Sequence, residues 1–333
     1  MRVSYSCQTP LGEGFAIIAK YQVKAIESYP YEGLCQLITP EVFEQKLDDI
    51  EFDKKASQLL NENCYTFVGW SNACLEQLKR AKELGMKTIL NRASTHIRNQ
   101  EKILKEEGLQ LDQKSIERQI KEYELADYIF VNSADIIESF KEYSPELVDK
   151  IRVINNGVDL NKFKPDYSLK SDKFIVLTTM SNLTRKGFKY LLQAWINLNL
   201  ENAELRVMGC FIPNIKNIKF LGWISEEDKI KEFQQASVFC LPSLEEGQAL
   251  SVNEAMACGT PVIISDKCGF NQILNKEDII PAKNVEILKD KILYYYKHRE
   301  ECLNKGKEAR KLIEKIGGWE RYKKEFLELL KKL

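Results

Sequence analysis

Short apolar runs alternate with helix-length stretches along this chain, and the alternation starts afresh halfway. Parallel strands, each followed by a helix that covers the sheet, produce this pattern. In the first half it predicts strands at 3–6, 34–38, 65–68, 88–91, 128–131 and 151–154, with helices at 15–27, 73–84, 99–107, 113–125 and 134–143. The second half predicts strands at 174–178, 205–208, 219–221, 238–241, 261–265 and 279–280, with helices at 188–196, 226–235 and 250–257. The polar stretch 158–173, which contains Pro165, reads as the connection. A chain of 333 residues exceeds one ordinary domain. The expected division is 1–165, 166–316 and a final amphipathic helix at 317–333.

Lys+Arg and Asp+Glu both number 49, so no net field draws the protein to nucleic acid. The nine cysteines have neither C-x-x-C nor Cys/His spacing, which argues against a zinc site and against a disulfide framework. Cys240 and Cys258 read as small buried hydrophobes. No apolar run approaches the roughly 18 residues of a membrane span, and no leader pattern opens the sequence, so the expected location is cytoplasmic. In the tail, Trp319, Tyr322, Phe326, Leu329, Leu330 and Leu333 share one helical face, with Lys323, Lys324, Lys331 and Lys332 largely off it. Such a helix either lies on a membrane or packs on the protein body, and packing is the expectation. Lys102, Lys105 and Lys114 either meet a lipid surface or stand in water.

The segment 246–262 carries the strongest chemical signal. Glu246 and Glu254 stand eight positions apart, on a loop and on the helix that follows it. Gly259-Thr260-Pro261 then leads into a strand. The helix start leaves backbone N–H groups for an anion or a phosphate. Upstream, Arg185-Lys186-Gly187 opens another helix, where the two cations either face an anion or form an exposed charged loop.

This segment resembles the retaining glycosyltransferases of family 4, which have the GT-B fold and a Glu-x7-Glu motif. Phe220-Leu221-Gly222-Trp223-Ile224, the run 236–243 into Glu246, Arg185-Lys186-Gly187, and Ile154–Asp159 with Phe163 and Pro165 extend the likeness across roughly 150–275. The resemblance implies an α/β protein of the GT-B class, with two Rossmann-like domains facing each other across a cleft and a C-terminal helix crossing back to the first. It implies transfer of a sugar from a nucleoside diphosphate donor, UDP or GDP, to a hydroxyl of a glycan or lipid-linked glycan. Polysaccharide assembly at the inner face of a membrane is the implied setting, with no cofactor beyond the donor. No Asp-x-Asp cluster stands at a strand end, so the reading requires no metal.

On this reading Glu246 lies by the donor sugar, and Glu254 accepts from the ribose hydroxyls. Gly247, Gln248, Ala249, Leu250 and Ser251 form the phosphate-facing loop and helix start, Gly247 leaving room for backbone approach. Lys186 and Arg185 hold the leaving diphosphate, and Gly222, Trp223 and Ile224 lie by the base. In the first half, Gly12 and Gly14 follow the first strand and suit a phosphate-approaching loop, although a lone G-x-G equally marks a tight turn. His96 sits in a polar loop after a strand, where imidazole can orient a hydroxyl or assist proton transfer, and many family members carry a His in an equivalent loop. Arg92 is a lesser candidate, and His298 reads as structural or solvated. One departure stands out: the family often has an Arg about six positions before the Lys, and here that residue is Met180. Alternatives are a silent GT-B subunit that binds a sugar nucleotide, and a nucleotide-sugar epimerase on the same fold. A pyridoxal phosphorylase needs a cofactor lysine and a longer chain. A dinucleotide dehydrogenase needs a complete G-x-G-x-x-G after the first strand, which is missing.

Overall fold

The computed structural model describes residues 2–9, 16–28, 33–43, 47–211 and 216–332. Gly12, Gly14 and Leu333 lie outside the described residues. The chain forms two units, residues 1–156 with 319–333, and residues 157–318.

In the first unit the order is β1 (Val3–Ser6), α1 (Ala16–Glu27), β2 (Leu34–Ile38), α2 (Asp49–Gln58), β3 (Thr66–Trp70), α3 (Leu75–Glu83), β4 (Lys87–Arg92), α4 (Ile97–Glu106), α5 (Gln113–Leu125), β5 (Tyr128–Val131), α6 (Asp135–Tyr143) and β6 (Ile151–Val153). The strands pair in the order β2-β1-β3-β4-β5-β6, all parallel. Ser4 and Tyr5, Phe67 and Val68, and Ile89 and Leu90 are adjacent residues on opposite faces, and all are fully buried. Both faces of the sheet are therefore covered, as parallel sheets require.

Helix α2 is absent from the sequence expectation for a physical reason. Its buried positions are Phe52, Asp53 and Ala56, so an acid stands where the apolar period asks for a hydrophobe. Asp53 is fully buried and paired with Arg118 of α5. Its carboxylate accepts from the backbone N–H groups of Glu76 at 2.7 Å and Gln77 at 3.0 Å, at the start of α3. Glu122 does the same one step earlier, accepting from Asn72 N at 2.7 Å and Cys74 N at 3.1 Å.

The second unit contains β7 (Phe174–Thr179), α7 (Phe188–Leu198), β8 (Ala203–Met208), β9 (Ile218–Gly222), α8 (Glu226–Gln235), β10 (Val238–Leu241), α9 (Leu250–Ala257), β11 (Val262–Ser265), β12 (Ile279–Ile280), α10 (Val285–Lys297) and α11 (Arg299–Ile316). Its parallel strands run β12-β11-β10-β7-β8-β9. From the other edge this is the doubly wound order 3-2-1-4-5-6, and the direction of winding reverses between β7 and β10.

The units part at 156/157 rather than at 165/166. Val158 and Phe163 belong to the second core, and Arg310 of α11 donates to the carbonyls of Phe163 at 2.8 Å and Leu160 at 3.4 Å. The last helix, α12 (Trp319–Lys332), packs on the first unit. Trp319 stacks on Tyr21 of α1 at 4.3 Å, and Phe326 meets Phe130 of β5 edge-on at 5.9 Å. Gln22 donates to the Tyr322 hydroxyl at 2.9 Å, and Arg321 donates to Asn155 O at 2.6 Å. The apolar face of α12 is thus consumed by packing, as expected. No helix among the described residues is long and apolar enough to cross a membrane.

Candidate functional site

In a doubly wound sheet the loops after the strands flanking the reversal splay apart and leave a crevice at the carboxyl edge. In the second unit those strands are β7 and β10, so the loops are 180–187 and 242–249. They carry Arg185, Lys186 and Glu246.

Local geometry draws the two loops together. Gly187 adopts φ +69°, and a Cβ there would lie 2.1 Å from the carbonyl oxygen of Pro242, so only glycine allows the contact. Leu244 N donates to Arg185 O at 2.8 Å. The Lys186 ammonium consequently contacts Glu246 Oε1, and Ser243 Oγ donates to the same oxygen at 3.3 Å. Arg185 approaches Glu246 and Glu245 at 3.8 Å each. Lys186 and both glutamates are nearly buried, whereas the Arg185 side chain is one-third exposed. Two cations thus face two carboxylates, and Arg185 Nε, itself buried, makes no hydrogen bond.

From Glu246 the chain runs through Gly247 and Gln248 into α9. The crowded contact of this stretch falls on Gly269 in the loop after β11, where a Cβ would lie 1.6 Å from Gly247 O. The close approach expected at Gly247 therefore needs its glycine at 269. At the start of α9, Val252 N donates to Ala249 O at 3.1 Å. The N–H groups of Leu250 and Ser251 have no acceptor among the described residues, and Ala249 supplies no side-chain cap. Ser251 Oγ accepts from Thr179 Oγ1 at the end of β7 at 3.1 Å, which ties the helix start to the crevice.

Glu254 lies one turn into α9, nearly buried, with Oε1 accepting from Lys229 of α8 at 2.8 Å. Burial pushes its carboxyl above the usual range, and the Lys229 ammonium works against that rise. Lys229 also stands over the Phe163 ring at 5.1 Å. The sequence reading lacks Lys229, since its link to Glu254 spans 25 residues and carries no local signature. Gly222 ends β9, Trp223 is 76% exposed, and Ile224 packs against the core, which leaves its backbone rather than its side chain for a ligand.

Two sequence expectations need correction. His96 is a helix cap, not an accessible proton carrier. It is 1% exposed, and its Nδ1 accepts from Arg98 N at 3.2 Å, which puts the ring proton on Nε2, 3.3 Å from Ser144 Oγ. The ring lies among Tyr123, Phe140 and Tyr143 at 4.9 to 5.5 Å. Burial, helped by Arg92 and Arg98, pulls its pKa down to about 4, so it is neutral near pH 7. Arg92 is likewise committed, donating to Thr95 O at 2.9 Å through Nε and to Gln119 and Gln100 at 2.8 and 2.9 Å. Met180 is fully buried in the second core, so position 180 offers no side chain to the site.

Residues 160–312 match the family model Glycosyl transferases group 1. N,N'-diacetylbacillosaminyl-diphospho-undecaprenol alpha-1,3-N-acetylgalactosaminyltransferase of Campylobacter jejuni is 31% identical, over 55% of this chain and 54% of its own. The chain spans about half the length of the curated relatives it matches. Among solved structures, sucrose-phosphate synthase from Thermosynechococcus elongatus superposes with a TM-score of 0.82 at 17% identity, covering 99% of this chain and 98% of that one. Anabaena HepE in complex with UDP-glucose gives 0.76 at 14% identity, with full coverage of both. At such identities the structural likeness establishes the fold, GT-B, and the sequence likeness to glycosyl transferases group 1 falls on residues of the second unit.

Proposed function

We propose that the protein is a glycosyltransferase of the retaining family 4 type. It moves a sugar from a nucleoside diphosphate donor, UDP or GDP, to a hydroxyl of a glycan or lipid-linked glycan. The observation that carries this reading is the convergence of Lys186, Arg185 and Glu246 on the crevice between β7 and β10, beside the uncapped start of α9. The complex of HepE with UDP-glucose supports the donor class, and the acceptor in the Campylobacter enzyme's name supports a lipid-linked acceptor.

Departure of a diphosphate is the electrostatic problem of the reaction, and preorganised positive charge lowers its barrier. Lys186 exchanges part of its contact with Glu246 for a phosphate oxygen, while Arg185, still one-third exposed, takes another. The N–H groups of Leu250 and Ser251 donate from the other side. Together they supply the positive charge that a divalent ion supplies elsewhere, and the reaction proceeds without metal. Glu246, freed toward the sugar, accepts from a donor hydroxyl, and Glu254 Oε2 accepts from the ribose. Nearly buried carboxylates suit both tasks, because they accept several hydrogen bonds and need no particular protonated partner. The protein acts in the cytoplasm and meets lipid-linked acceptors at the inner face of a membrane.

The buried Met180 favours a second reading, a subunit that holds a sugar nucleotide without turnover. One experiment separates the two. Purified protein is screened against UDP-, GDP-, ADP-, dTDP- and CMP-sugars in EDTA, reading thermal shift and diphosphate release with and without acceptors. Stabilisation by one nucleotide family with release of its diphosphate supports the transferase. Binding without turnover transfers the case to the silent subunit, and absence of any binding ends both readings.

A further inference from the structure

The edge of the second sheet opposite the proposed donor site holds a cavity of about 180 Å³. Its lining comes from the residues just before β7, β10 and β11, together with the first turn of α11: Lys170, Ser171, Ser237, Gly259 and Pro261, with Arg299. A six-residue strand separates the two edges, roughly 20 Å at about 3.3 Å per residue.

We propose that this cavity binds a small phosphate-bearing anion, independently of the nucleotide sugar. The argument is a count of donors. Lys170 Nζ donates to Ala236 O at 2.5 Å and reaches Thr260 Oγ1 at 3.4 Å, and among the described residues no carboxylate pairs with it. Arg299 is oriented by two bonds from Nη2 to the carbonyls of Ser171 and Lys173, both 3.3 Å, and by the face of Phe174 at 5.1 Å. Its remaining N–H groups have no acceptor among the described residues. Ser171 Oγ accepts from Lys173 N and Ser237 Oγ accepts from Ile175 N, each at 3.1 Å, so each hydroxyl still has its own proton to give. The cavity therefore presents an ammonium, a guanidinium and two hydroxyl donors, and no Asp or Glu lines it.

Burial pushes the Lys170 ammonium down to about 8, which is the mark of a cation left without a counter-charge. The titratable groups around it do not supply one. Arg299 is a second cation, and burial pushes the thiols of Cys258 and Cys302 up to about 12, so both are neutral. A dianion with three terminal oxygens matches two cations and two hydroxyls. The volume, about six waters at roughly 30 Å³ each, also leaves space for a short carbon tail.

The test measures Tm at constant ionic strength, replacing chloride by inorganic phosphate or by glycerol 3-phosphate. It uses the full chain and the variants Lys170→Met, Arg299→Gln and Lys186→Ala. Phosphate is expected to raise Tm by about 2–4 °C in the parent and in Lys186→Ala. The increment should vanish in Lys170→Met, and Arg299→Gln should weaken binding at least about tenfold. Arg299 is exposed, so its variant carries the test should Lys170→Met fail to fold. No increment in the parent overturns the proposal, as does an increment that survives in both cavity variants. An increment lost in Lys186→Ala assigns the anion to the donor site and overturns it as well. Tighter binding of glycerol 3-phosphate identifies a monoester as the natural ligand, and tighter binding of inorganic phosphate identifies the free ion.

Discussion

Helices α3 and α9 occupy the same topological place in their units, each following the strand on the far side of the winding reversal. Their N-termini are treated in opposite ways. At α3 the protein's own carboxyl groups meet four backbone donors within residues 72–77, Glu122 those of Asn72 and Cys74, and Asp53 those of Glu76 and Gln77. At α9 the donors of Leu250 and Ser251 have no acceptor among the described residues, and two cations stand close by. A helix start attracts an anion in both cases. In the first unit the acceptor is built into the fold, and in the second the place is left for a ligand. Topology says where a site can be, and side chains from neighbouring helices decide whether it stays open.

The largest expected effect follows from the open end. If α9 and its cations receive a leaving diphosphate, Lys186→Ala should lower turnover about a thousandfold, the scale seen when one preorganised charge donor is lost. Lys186→Arg should recover part of it. Steady-state kinetics with the donor identified by the screen measures both, and a loss below tenfold would break the comparison at its more important side.

The closed end predicts a stability effect instead. Asp53→Ala strips two N–H groups of α3 of their acceptor and leaves the Arg118 guanidinium, only 13% exposed, without its main partner. The expected loss is about 3 kcal/mol in urea unfolding, confined to the transition of the first unit. An unchanged first transition would show that the plug does not hold α3.

How much of this was legible before folding differs between the two ends. Helices α5, α8 and α9 and strands β1, β2, β5 and β10 have the ends the sequence predicts, because helical period and short apolar runs agree there. Lys186 and Glu246 were legible because each lies in a strand–loop–helix segment whose order alone assigns an edge of the sheet. The plug was not legible, since Asp53 and Glu122 read as solvated helix acids until tertiary contacts bury them. His96 shows the same limit. A polar loop after a strand looks alike whether its imidazole faces solvent or, as here, an aromatic nest from α5 and α6.

His96 accordingly belongs with the plug rather than with catalysis. His96→Ala removes the cap on Arg98 N and three ring contacts, so stability should fall by about 2 kcal/mol. At a temperature where the variant stays folded, kcat and KM should match the parent. A fall in kcat with intact stability would return the residue to the reaction.

The finest distinction is a pH slope. Burial raises the Glu122 carboxyl to about 7, while its unfolded value is near the 4.5 of a free side chain. Between those values the native state holds a proton that the unfolded state has lost, so Glu122 contributes stability below pH 4.5 that is lost as pH rises toward 7. His96 runs the other way. Its pKa is about 4 in the native state against 6.5 unfolded, so its contribution is present above pH 6.5 and lost as pH falls toward 4. From about 4.5 to 6.5 the two slopes oppose each other, and together they leave stability nearly flat. Glu122→Gln removes only the first. Relative to the parent, its unfolding free energy should therefore rise with pH by roughly 1 kcal/mol per pH unit across that interval. Urea titrations of both proteins between pH 4.5 and 7 measure the difference. A parallel pair of curves would mean that Glu122 is ionised in the folded protein throughout, a fixed anion at α3 in place of a protonated plug.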